Sequence, residues 1–417
     1  MNPKCLAVLV LALLACGDRS RAPNNSQTTN VNAMVDSVLP RLQVIAGLTK
    51  RADIHMQMQS RDSLRKYVEA RMTEELPAAE LEGIRATYVT LGLLPPELDL
   101  RALLLDLYTE QVVGYYDPKT KKLFVVEDAP REMLRPTVVH ELVHALQDQH
   151  TDLDALISRQ RGNDRQTAAQ AAIEGHATLV MFALLAEEQA GAPLDPRSLP
   201  DIGSTIRPSL EQQNEQFPVF KSAPRILRET LLFPYVAGAG FVQKLWVRPL
   251  ETGFGDPYPA PIGERLPHST EQIMHPDSRF MVRRDDPTEL KFDSRGNDHV
   301  VRENSLGELE TSIWLSEHLG AEAASLAQGW DGDRYRLMRV GADSAHALVW
   351  YSVWDTEASA NTFADAARRV AQKRGRAFRI ERFLLGQQPS VRFIDANAGV
   401  DLSRLTVPTV SIAKSPD

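Results

Sequence analysis

The sequence predicts an α+β protein, largely helical with a small β-sheet, and three observations carry that prediction. Leu, Val and Met recur at helical spacing across residues 33–110, and a helical pattern returns across 177–250. Two runs of β-forming residues, Val112-Val113-Gly114-Tyr115-Tyr116 and Lys122-Leu123-Phe124-Val125-Val126, flank the turn-rich Asp117-Pro118-Lys119-Thr120-Lys121 and predict a hairpin. Towards the C-terminus the alternating Ala347-Leu348-Val349-Trp350-Tyr351-Ser352-Val353-Trp354 precedes a helical pattern over 356–374, which reads as a small α+β unit.

In chain order, the first segment is a targeting signal. Lys4, an apolar run over 6–15 and Leu13-Leu14-Ala15-Cys16-Gly17 form a signal peptide with a lipobox-like end, too short for an ordinary membrane span. This ending resembles that of bacterial lipoproteins. The resemblance implies lipidation of Cys16 and an anchored protein of the bacterial cell envelope, facing the periplasm or exterior. Cys5 and Cys16 are the only cysteines, so after processing neither a disulfide nor a thiolate metal ligand is available. Residues 17–32 are polar and read as a flexible tether.

The region 33–110 is expected to be helical, broken at Leu94-Pro95-Pro96, and the hairpin follows it. Gly114 permits either a close backbone approach or a bulge. The polar, proline-bearing stretch 191–218 reads as a surface loop or a lid, and 253–268 as turn-rich chain. The expected organisation is a domain over 33–282, a linker over 283–304 and the small unit over 305–417. In that unit Asp331 and Asp333, set among glycines, suggest a tight turn in preference to a calcium loop. A net charge of -8 without a basic cluster argues against a nucleic-acid partner.

Between the hairpin and the second helical region lies His140-Glu141-Leu142-Val143-His144, in a segment with helical character. Residues four apart share a helix face, so the two imidazoles can bind one metal ion. Glu141, one step round the helix, can take a proton from a water held by the metal without ligating the metal itself. Pro136 suits a first helical turn, and Val139, Leu142, Val143 and Leu146 supply an apolar face.

A catalytic zinc needs a third protein ligand and an open position. His150 has metzincin spacing, but Gln147 stands where that pattern needs a helix-ending glycine, and on an unbroken helix His150 lies about 120° off the His144 face. Glu174 is preferred, because the small residues of Ala171-Ala172-Ile173-Glu174-Gly175-His176-Ala177-Thr178 allow close helix approach. His176 is a further choice. An electrophilic partner for the developing oxyanion is sought in His275 or Tyr235, on residue type.

With these motifs the chain resembles a gluzincin-type zinc metallopeptidase. It more closely resembles a group of uncharacterised bacterial predicted metallopeptidases, through residues 111–118, 140–150, 174–178 and Ser269-Thr270-Glu271-Gln272-Ile273-Met274-His275-Pro276. The resemblance implies a zincin-like fold over roughly residues 85–340. It implies zinc (Zn2+) on His140, His144 and Glu174, Glu141 as general base, and a peptide or protein substrate laid along an edge strand. Thermolysin-like gluzincins carry an Asp four residues after the ligand Glu to orient a ligand histidine. Thr178 stands there instead, so a hydroxyl or another carboxylate such as Asp148 would take that role. The alternative function is a catalytically inactive zincin-fold lipoprotein that acts in binding or envelope assembly.

Overall fold

The computed structural model describes residues 9–11, 26–156, 162–214, 217–252, 256–295, 299–340 and 345–413. Cys16, with nearly all of the signal peptide and the first part of the tether, lies outside the described residues.

The chain is α+β. Helices α1 (Ser26–Ala46), α2 (Arg61–Glu75), α3 (Ala78–Leu91) and α4 (Leu100–Gln111) fill the first region, as their apolar spacing predicts. Strand β2 (His55–Gln59) interrupts them; its sequence, His-Met-Gln-Met-Gln, has too little β-branched or aromatic character to announce a strand. It is held by parallel pairing with a distant segment, His55 opposite Lys122 and Gln59 opposite Val126.

The predicted hairpin forms as β3 (Val112–Asp117) and β4 (Lys122–Val126), with Gly114 opposite Val125 and Asp117 opposite Lys122. A short segment, β1 (Leu9–Leu11), pairs antiparallel with the outer edge of β3, giving the sheet order β1-β3-β4-β2.

Beneath this sheet lies α5 (Arg131–Asp148), which is buried on all sides from Thr137 to Gln147. It begins five residues before Pro136, so that proline sits in the second turn. The carbonyl of Glu132, an exposed residue of the first turn, loses its helical donor there. Gly114 is where strand and helix touch: a Cβ there would stand 2.7 Å from Thr137 Cγ2 and 2.8 Å from the Phe124 carbonyl oxygen. The expected close approach at Gly114 is observed, and the pairing of β3 with β1 also shifts register between Val112 and Tyr115, the stretch that holds Gly114.

After the single turn α6 (Leu153–Leu156), helix α7 (Asn163–Ala190) packs across α5, and α10 (Arg225–Thr252) packs across α7. Helix α7 is long and apolar enough to cross a membrane, but 83% of its apolar window is buried inside the protein, as befits a central core helix. It meets α10 at paired glycines: a Cβ on Gly175 would lie 2.0 Å from the Gly238 carbonyl carbon, and one on Gly238 would lie 1.9 Å from the Ala171 oxygen. Backbone thus touches backbone one residue from Glu174.

The 191–218 stretch contains a helix, α8 (Ile202–Asn214), which packs on α10 through buried Ile202 and Ile206, and the short helix α9 (Pro218–Ser222) begins at its end. The apolar pair of α8 at i and i+4 is masked in the sequence by polar neighbours and Pro208. Residues 283–304 hold two short strands, β5 (Leu290–Phe292) and β6 (Val300–Asn304).

Helix α12 (Gly307–Leu319), strands β7 (Trp330–Val340) and β8 (Ala345–Trp354), helix α13 (Glu357–Lys373), and strands β9 (Ala377–Leu385) and β10 (Gln388–Ala396) follow. The strands make an antiparallel sheet ordered β6-β7-β8-β10-β9, and the final strand, β11 (Val410–Ile412), pairs with β5. One apolar core runs through both regions, from Val38 and Leu42 to Trp314, Trp350 and Phe393.

Asp331 and Asp333 lie within β7 at a bulge, not in a turn. Asp333 accepts from the backbone N–H of Leu306 and Gly307 and from the indole N–H of Trp330 and Trp350, at 2.9 to 3.2 Å. Four donors satisfy its carboxylate without a cation.

Candidate metal centre

Helix α5 presents His140 and His144 on one face, with ring centroids 4.8 Å apart, and α7 brings Glu174 against them. Glu174 Oε2 lies 3.1 Å from His140 Nε2 and 3.4 Å from His144 Nε2. One ligand atom from each of the three residues falls within 4.8 Å of the other two. All three side chains are buried.

Among the described residues Glu174 Oε1 has no hydrogen-bond partner, and neither has His144 Nε2 beyond its 3.4 Å approach to Glu174 Oε2. Leaving such atoms bare in a protein interior is costly, and two imidazoles with one carboxylate are the donor set of a divalent-cation site. These residues therefore fit a metal ion.

Burial opposes charge on His144, yet the Glu174 carboxylate overrides it and lifts its pKa to about 9. At His140 burial prevails and lowers the pKa. Burial also works against ionisation of Glu174, but the neighbouring His144 holds its pKa below the usual value. A positive charge shared among the three groups is thus favourable, as a proton or as a cation.

Glu141 is fully buried, and its Oε2 accepts the Tyr116 backbone N–H of β3 at 2.7 Å. Its carboxylate helps to raise the His144 pKa, so it lies near the same centre. Strand β3, through the close approach at Gly114, therefore borders the group expected to move protons.

Tyr235 on α10 also joins the cluster, its ring centroid 6.2 Å from that of His140. Burial, then the carboxylates of Glu174 and Glu141, push its hydroxyl pKa well above the ordinary value. It stays a hydrogen-bond donor at neutral pH.

The other candidates lie elsewhere. His275 caps the short helix α11 (Thr270–Met274), with Nε2 2.8 Å from Glu308 Oε1. Helix α11 docks at the first turn of α7 through Thr270 and Asp164, about 15 Å along the helix from Glu174. His150 lies beyond the end of α5 and meets the Thr49 carbonyl at 2.8 Å. Asp148 accepts from the Tyr116 hydroxyl at 2.8 Å and from Lys121 Nζ at 2.6 Å. It orients neither His140 nor His144 in these contacts, and among the described residues the Thr178 hydroxyl has no hydrogen-bond partner.

The residue bonded to His144 is Gln147, whose Oε1 lies 2.8 Å from Nδ1. His176 stands behind it, buried, with burial lowering its pKa to about 3. Sequence reasoning treated Gln147 only as a missing glycine. Its i,i+3 placement after His144 was the available signal.

Residues 297–407 match a family described as a domain of unknown function (DUF8575). No curated protein and no solved structure matches the chain.

Proposed function

We propose that the protein is a zinc-dependent metallopeptidase of zincin-like fold, with His140, His144 and Glu174 holding the ion and Glu141 as general base. The observation that carries this reading is the meeting of three buried ligand-type groups beside a buried carboxylate at the border of a β-sheet. The lipobox-like end at Cys16 supports a lipid-anchored location in the bacterial cell envelope, and the resemblance to metallopeptidases supports the donor set.

Zinc held by His140, His144 and Glu174 would supply Lewis-acid polarisation of a scissile carbonyl and would acidify a water. Glu141 would take a proton from the attacking water and pass it to the leaving amine. Tyr235 keeps its proton and donates to the oxygen on which charge develops. The outer edge of β3 pairs antiparallel with an extended apolar segment, Leu9 opposite Tyr115. A peptide substrate would use the same backbone groups, so affinity comes with little sequence preference.

The test is cleavage of an unfolded protein substrate by the purified chain. Glu141→Gln should abolish turnover while leaving zinc bound, and a chelator should abolish wild-type turnover reversibly. A Glu141→Gln variant as active as wild type would refute the assigned chemistry. The binding-protein reading predicts no turnover in any form, with partner capture unaffected by Glu141→Gln.

A further inference from the structure

Three carbonyl and amide groups behind the metal centre determine which nitrogen of His144 carries its proton. His176 Nε2 lies 3.1 Å from the Ala46 carbonyl oxygen at the end of α1. That oxygen can only accept, so the neutral His176 is protonated at Nε2 and its Nδ1 is an acceptor. Gln147 Nε2 lies 2.9 Å from His176 Nδ1 and donates to the Ile173 carbonyl at 3.0 Å. Both neighbours of Nε2 are acceptors, which fixes the orientation of the amide and turns Oε1 towards His144. Oε1 then accepts the Nδ1–H of His144, at 2.8 Å, and leaves Nε2 facing Glu174 and the cluster, where a metal ion would replace its proton.

We infer that Gln147 is a positioning residue: backed by His176 and the Ala46 carbonyl, it holds His144 in the tautomer whose Nε2 binds metal. The inference rests on the metal-site reading above. It assigns to an amide the role for which the sequence suggested a carboxylate. An amide orients the imidazole as a carboxylate does but adds no charge to a centre that already holds Glu141 and Glu174. The side chain has both halves of its amide in use, so Glu and Ala separate them. Glu keeps the acceptor for His144 and loses the donors to His176 and Ile173, whereas Ala loses both.

The experiment measures zinc affinity of the full chain by competition with a chromophoric chelator, for wild type, Gln147→Glu and Gln147→Ala. Long-range proton–nitrogen NMR reads the tautomer of His144 in the same samples, and near-ultraviolet circular dichroism reports the fold. The expected result is that Gln147→Ala weakens zinc binding about 10–100-fold and lets His144 sample both tautomers. Gln147→Glu should hold affinity within about threefold of wild type and keep the Nδ1–H tautomer. Equal affinity and an unchanged tautomer in Gln147→Ala would overturn the inference while leaving the metal site intact. Equal losses in both variants together with an altered fold would make Gln147 a packing residue and also overturn it. A wild-type chain that binds no zinc would refute the metal-site reading itself.

Discussion

Replacing Gly175 by Ala tests whether the crossing of α7 and α10 sets the geometry of the metal centre. The added Cβ would stand 2.0 Å from the Gly238 carbonyl carbon and 2.3 Å from its oxygen. Carbon atoms in contact rest about 3.5 Å apart, so the helices must separate by about 1.5 Å at this point. Both sides of the clash are backbone, and no rotamer change relieves it. Overpacking of this kind costs roughly 1–3 kcal/mol, and a backbone clash belongs at the upper end. An unfolding entropy of about 2 cal/mol/K per residue gives about 0.9 kcal/mol/K for 417 residues, so about 3 kcal/mol lowers the melting temperature by about 3 °C.

The larger effect should be on metal binding. Glu174 is the adjacent residue, and a shift of about 1 Å exceeds the roughly 0.2 Å tolerance of a metal–ligand distance. Zinc affinity should fall at least about tenfold. Gly240→Ala is the matched control on α10, because a Cβ there meets nothing within 4 Å. It should leave affinity unchanged and stabilise the helix by about 0.5–1 kcal/mol. Differential scanning calorimetry and chelator competition on both variants make the assay. Wild-type affinity and melting temperature in Gly175→Ala, or equal damage from Gly240→Ala, would refute the reasoning.

Other positions give independent tests. Asp164, buried at the start of α7, has its pKa raised to about 8 by burial, despite hydrogen bonds from Thr270 that favour its charge. The folded protein therefore keeps a proton that the unfolded chain releases above about pH 4, and this contribution to stability is full below pH 4 and lost as the pH rises through 8. Asp164→Asn should flatten that loss in urea titrations between pH 5 and 8; an unchanged slope would exclude Asp164 as its source. Asp333→Ala leaves four buried N–H donors without their acceptor and should cost about 3–5 kcal/mol, read as a lower denaturant midpoint. His150→Ala removes an exposed contact to Thr49 and should leave zinc affinity unchanged, and a tenfold loss would point back to metzincin-like ligation.

The cluster of His140, His144 and Glu174 was legible to the extent that its parts are local. His140 and His144 are set by helix periodicity alone, and Glu174 by the small residues around it, which the structure uses at Gly175 to admit α10. The hairpin was legible because its turn and its β-forming runs are adjacent in sequence. What escaped depends on distant partners. The strand His55–Gln59 exists through its pairing with β4, and α8 through two isoleucines placed against α10. Asp333 looked like a turn residue because its four donors come from residues 306, 307, 330 and 350. Gln147 gains its role from Ala46, Ile173 and His176, which only folding assembles.

X-ray absorption at the zinc edge, on the zinc-loaded chain beside its Glu174→Ala variant, tests the central claim most directly. The account predicts about one zinc per chain in a four-coordinate shell of nitrogen and oxygen, with the outer-shell signature of two imidazoles, and loss of that signal in the variant. No bound zinc in the wild type, or an identical spectrum in Glu174→Ala, would contradict it.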